Sequence, residues 1–161
     1  MTTKADYTTE EWTKLMQAQM YVGTIIVVAD PNVTGLIAEG RAMVNAYQEQ
    51  SVPEAAQELV GSLLADMKEK AENKEQLPSD LSKDDAEAMK AQILDEIRGV
   101  VGILEAKASP EEAAGFKQWL MSTAEAVAEA SKEGGFLGIG GQRVTDKEKA
   151  AMAEIAATLG L

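Results

Sequence analysis

Cysteine and histidine are both absent from the 161 residues. Without cysteine there is no disulfide, no thiol nucleophile and no clue to the redox compartment. Without histidine the commonest general base is missing, along with the usual ligands of zinc and haem and any Ser-His or Cys-His nucleophile pair. The Glu-x-x-His motifs of ferritin-like di-iron bundles cannot be written either. Aromatic residues are scarce, at two Trp, three Tyr and two Phe. Packing therefore falls to Ala, Leu, Met and Val, a palette that favours helix because Ala, Leu and Met lose little side-chain freedom there.

Long apolar runs are missing as well. The longest, MYVGTIIVVA at 20–29, is about half of the ~20 residues that span a bilayer. The opening MTTKADYTTEEW has neither the basic start nor the apolar run of a secretory signal, so the expected location is cytoplasmic. Basic residues are outnumbered, 15 against 27 acids, for a net charge of −12. The acidity is heaviest over 51–108. Phosphate backbones and anionic lipid would be repelled, which argues against nucleic acid and membrane attachment and leaves cations and basic protein partners open.

At this length the chain is read as one domain with a real core. Thr8 or Thr9 ahead of Glu10 and Glu11 opens a helix whose stripe is Trp12, Met16, Met20, Gly23 and Val27. The run Thr24–Val28 is β-branched, but a lone strand has no sheet to join, so helix is expected through about Val28. Pro31 breaks it. A second helix carries Leu36, Gly40, Met43 or Val44, and Tyr47; a third, after Pro53, carries Ala56, Leu59, Leu63 and Met67. The polar segment 68–82, with Pro78, reads as a linker between two halves, roughly 8–75 and 82–161.

Ser82, Asp84 and Asp85 open a fourth helix with Met89, Ile93, Ile97, Val100 and Leu104. Ser109-Pro-Glu-Glu112 opens a fifth with Phe116, Trp119 or Leu120, Thr123 and Val127. Thr145-Asp-Lys-Glu148 is a capping box ahead of Met152, Ile155 and Leu159. The fold class is all-α: a single-domain bundle of about six helices, with two pseudo-symmetric halves as an option. Trp12 and Trp119 lie at helical spacing with aliphatic residues and read as core. Gly35, Gly40, Gly61, Gly99, Gly102 and Gly115 fall inside these helices, where each costs ~1 kcal/mol against Ala. Close helix–helix approach, within the chain or in a homo-oligomer, would offset that cost.

The stretch EGGFLGIGGQRVTDKE at 133–148 is the exception to this grammar. It lacks the GxxxxGK[ST] of a P-loop and the βαβ setting of a dinucleotide fingerprint, so it reads as a connector rather than a nucleotide loop. Its Phe136, Leu137 and Ile139 either fold onto the bundle or form a contact site for a partner.

The pattern around that connector resembles the tellurite-resistance TerB family and its relatives, including the N-terminal helical domain of the co-chaperone DjlA. Glu133-Gly134 stands where that family has Asp-Gly, and Val144, Thr145, Glu148, Met152, Ile155, Leu159 and Gly160 match directly. The inserted FLGIGGQ lengthens the loop beyond the family's usual gap. A degraded first copy has Ala29-Asp30 and Val33-Thr34, with Pro31 for Gly and Ile37 for Glu. The resemblance spans about 12–50 and 88–161.

It implies a non-catalytic binding or adaptor module in a stress-response or scaffolding setting. It also implies a divalent cation, Ca²⁺ or Mg²⁺, at Asp30, Glu133, Asp146 and Glu148, since hard cations take carboxylate and carbonyl oxygens. The residues alone allow a simpler reading, in which Glu148 closes the cap on Thr145, Asp146 favours the helix start and Glu133 is solvated. The alternative function, from another class, is a self-assembling structural protein, a helical homo-oligomer. An enzyme would have to work with carboxylates alone, and no pair has a distinctive setting.

Overall fold

Helix α1, Thr9–Ala29, is the axis around which the other helices pack. The computed structural model describes residues 1–29, 51–78, 81, 85–133 and 144–161, with the side chains of 130–133 excepted. Four further α-helices lie among these residues: α2 (Gln57–Glu72), α3 (Ala86–Lys107), α4 (Pro110–Glu133) and α5 (Asp146–Leu159). Short 3₁₀ turns at Lys4–Asp6 and Glu54–Ala56 precede α1 and α2. The described residues contain no strand, and the β-branched run at the end of α1 is helical. The second helix expected around 36–47 lies outside the described residues.

Most helix starts form where the sequence supplies a cap. Thr8 caps α1: its Oγ1 accepts from Glu11 N at 3.2 Å, and Glu11 Oε2 accepts from Thr8 N at 2.7 Å. Asp85 caps α3 by accepting from Glu87 N and Ala88 N. Ser109 Oγ accepts from Glu112 N at 3.2 Å at the start of α4. Thr145 and Glu148 close a reciprocal box on α5, which ends at Gly160 in the left-handed region, φ +75°. Helix α2 runs through Glu72, so the first residues of the expected linker continue the helix. Further on, Pro78 O accepts from the buried Gln17 side chain and ties that segment to α1.

Helix α1 touches all four of the other described helices. It is consequently buried around its circumference, with Trp12, Leu15, Met16, Ala18, Tyr21, Val22, Ile25 and Ile26 all in the core. This differs from the single stripe expected: Met20 and Val27 are only partly buried, whereas Gln17 and Gln19 are buried. Leu59 and Leu63 come in from α2, and Ile93, Ile97, Val100 and Leu104 from α3. Helix α4 adds Phe116, Trp119, Leu120 and Val127, and α5 adds Ile155 and Leu159. Both tryptophans are core residues, and Phe116 and Trp119 meet edge to face at 5.3 Å between centroids. Residues from every described helix thus form one continuous core.

Candidate functional site

Residues 2–7 are tied to several helices by polar contacts. The 3₁₀ turn at Lys4–Asp6 is held by Thr3 N donating to Asp6 Oδ2 at 2.8 Å, and this contact is the main reason the Asp6 carboxyl is held below its usual range. The turn brings residues 2–7 against Asp66 within α2, the end of α3 and the start of α4. Lys4 Nζ reaches Asp66 on α2 at 2.5 Å, and the Trp12 indole N–H donates to the same carboxylate at 2.8 Å. Lys107, the last residue of α3, donates to Asp6 O at 2.9 Å and to Glu11 at 2.6 Å. Its ammonium also stands 5.5 Å from the Tyr7 ring centroid. Glu112 accepts from Thr2 N through both oxygens, at 2.8 and 3.0 Å.

Ionisation follows these contacts. The hydrogen bond from Lys4, and then that from Trp12, hold Asp66 below the usual carboxylate range against the opposing effect of burial. Glu11 is held low by Lys107 first and by the Thr8 backbone second. Burial pushes the Tyr7 hydroxyl up, opposed by its 2.7 Å hydrogen bond with Thr2 Oγ1. Each group is already committed to a neighbour, so this cluster is a clasp rather than an open site. Of this cluster, sequence reading singled out only Glu11 and Glu112, as helix-opening acids, and Trp12, as a core residue. The spacing Thr3-x-x-Asp6 was the one legible signal; the partners lie far along the chain.

The described surface also carries a half-open cleft of about 250 Å³ between α4 and α5. Ser122, Glu125, Ala126 and Glu129 line it from α4, at positions that share one helical face. Val144 and Met152 close the other side. The floor is apolar, from Ala126, Val144 and Met152, all partly buried, and the exposed Glu125 and Glu129 form an acidic rim. Sequence reading did not identify it, because it depends on how α4 and α5 are juxtaposed.

The residues proposed as cation ligands are placed as follows. Asp30 lies outside the described residues, as does the side chain of Glu133. Asp146 is fully in solvent, its carboxylate 3.5 Å from Lys149, while Glu148 is 2 % exposed and bonded to Thr145. Among the described residues no group of three or more acidic side chains is arranged to hold a metal ion. Phe136, Leu137 and Ile139 also lie outside the described residues. No described helix is long and apolar enough to cross a membrane.

Comparison with protein-family models finds no match, and neither does comparison with curated proteins or with solved structures.

Proposed function

We propose that the chain is a non-catalytic, cytoplasmic helical binding module, TerB-like in its second half, that recognises a basic segment of a protein partner through the α4–α5 cleft. The cleft carries this reading. At about 250 Å³ and half open, it is smaller than the ~300–1,000 Å³ pockets that enclose small molecules. It suits one or two side chains of a larger partner. An apolar floor beneath two glutamates favours a long aliphatic stem ending in an ammonium or guanidinium, and the net charge of −12 would steer such a partner inward. An adaptor role in stress response or scaffolding is what the TerB resemblance adds.

Photo-crosslinking in cells tests this, with the probe placed at Ala126 and, as control, at the exposed Gly102 of α3. The expected result is a product specific to position 126 that disappears when Glu125 and Glu129 are both changed to Lys. A product that survives the double charge reversal, or none at all, would overturn the reading.

One observation favours the second reading, self-assembly. Gly61, Gly99 and Gly102 sit inside helices where, among the described residues, nothing lies within 4 Å of where a Cβ would stand, so no packing among those residues accounts for them. A helix face bare of side chains lets another helix approach closely, and a second copy would supply one. Light scattering after size exclusion separates the two readings, since the adaptor is a monomer.

A further inference from the structure

Glu112 is 1 % exposed and forms no ion pair among the described residues. Ser109 already caps α4 from the other side, leaving the Glu112 carboxylate free of the helix it begins. Both its oxygens converge instead on one donor, Thr2 N. The Lys107 ammonium, also in this region, is committed to Asp6 O and Glu11. A buried carboxylate facing a single neutral amide is poorly compensated, even with help from the helix dipole. The geometry around Thr2 is nevertheless well made: its hydroxyl is fixed by Tyr7 at 2.7 Å, and Tyr7 packs on Trp12 at 5.7 Å between centroids. Met1, one bond upstream, is 72 % exposed.

We propose that Glu112 is the receptor for a free amino terminus at Thr2, created by hydrolysis of the Met1–Thr2 peptide bond. Water adds across that bond: the carbonyl carbon of Met1 takes the hydroxyl and leaves as a carboxylate, and the Thr2 nitrogen gains protons to become an ammonium. The catalyst is a peptidase that accepts the small Thr2 side chain just after the broken bond. The bond that breaks is the one before Thr2, whatever stands upstream of Met1. The product places a full positive charge and three donors where the uncleaved chain offers one amide N–H. The buried carboxylate then gains a cation, which it has from none of the described residues, and the clasp across α2, α3 and α4 is locked by a charged pair.

Intact mass of the protein recovered from its own cells reads the cleavage directly, and a species beginning at Thr2 is expected. Two recombinant forms, one beginning at Thr2 and one retaining Met1, then test the receptor. The Thr2 form should melt higher by about 2–4 °C or more, the shift expected for a modest gain in a domain of this size. Acetylating the Thr2 amine, which removes its charge, should abolish the gain, whereas reductive dimethylation, which keeps it, should not. Glu112→Gln should bring the two forms to the same melting temperature, and the acetylation comparison stands even if that variant folds poorly. A mass that retains Met1 would overturn the processing step. Equal melting of the two wild-type forms, or a gain that survives acetylation, would overturn the receptor.

Discussion

The indole N–H of Trp12 donates to Asp66 Oδ2 at 2.8 Å, and Lys4 Nζ meets the same oxygen at 2.5 Å. One carboxylate on α2 thus fastens both the core aromatic that begins α1 and the turn ahead of it. A charged acceptor makes both bonds stronger than a neutral one would.

Because its partners hold Asp66 below the usual range, its contribution is present above the unfolded pKa of about 3.9 and is lost as pH falls through the lower folded value. Glu11, also held low by Lys107, acts in the same sense. Urea unfolding at a series of pH values should therefore show stability falling from about pH 5 downward. Asp66→Asn keeps an oxygen for Trp12 but gives up the charge. It should be less stable at neutral pH, lose less on acidification, and converge with wild type in strong acid. Parallel curves would show that Asp66 does not carry the acid sensitivity.

Glu148 and Thr145 hold each other across the first turn of α5, at 2.7 and 3.2 Å. Thr145→Ala should cost ~1 kcal/mol, the usual value of such a cap, and Glu148→Ala at least as much. The double variant should cost less than the sum, because either change alone breaks the reciprocal pair. Glu148→Gln, still able to cap, should be milder. Thermal unfolding of EDTA-stripped protein with millimolar Ca²⁺ or Mg²⁺ separates the cap from ion ligation. An ion held by Glu148 would raise the melting temperature of Thr145→Ala but not of Glu148→Gln.

The helix starts were legible because caps are local. Ser109 with Pro110 and Thr145 with Glu148 form as read, and the choice left between Thr8 and Thr9 falls on Thr8, which pairs with Glu11; each lies within four residues. The apolar stripes of α3 and α4 were legible for a related reason, since each presents one face to the core. Helix α1 was not, because it is covered from all sides, and Gln17 and Gln19 are carried inside by helices that periodicity within α1 cannot register. Asp66 and Glu112 show the same limit at the clasp. Their acidity was plain, but their roles depend on Trp12 and Thr2, which stand 54 and 110 residues away along the chain. The α4–α5 cleft likewise arises only where two separately legible helices meet.

Phe116 is fully buried and meets Trp119 edge to face. Phe116→Ala should cost ~3–5 kcal/mol, the range for deleting a buried aromatic, a large part of the stability of an ordinary domain. Denaturant midpoints measure this directly. A loss under about 1 kcal/mol would mean that the α4 face is far more loosely packed than the structure has it.

The glycines inside helices divide by what surrounds them. At Gly115 a Cβ would stand 3.1 Å from Ala56 Cβ and 3.4 Å from Pro53 Cβ, and Ala56 is fully buried, so α4 and the turn before α2 meet closely there. At Gly99 and Gly102 a Cβ would meet nothing within 4 Å among the described residues. In a monomer, Gly99→Ala and Gly102→Ala should each stabilise by ~0.5–1 kcal/mol, because alanine removes backbone freedom from the unfolded chain and favours helix. Gly115→Ala should gain less or lose, as the added methyl must push the Ala56 turn aside, and Gly115→Val should cost ~1–3 kcal/mol through overpacking. The expected order in thermal unfolding is thus Gly99→Ala above wild type and Gly115→Val below it. If Gly99→Ala instead lowers stability in a way that depends on protein concentration, α3 is buried against a second copy, and the adaptor reading gives way to self-assembly.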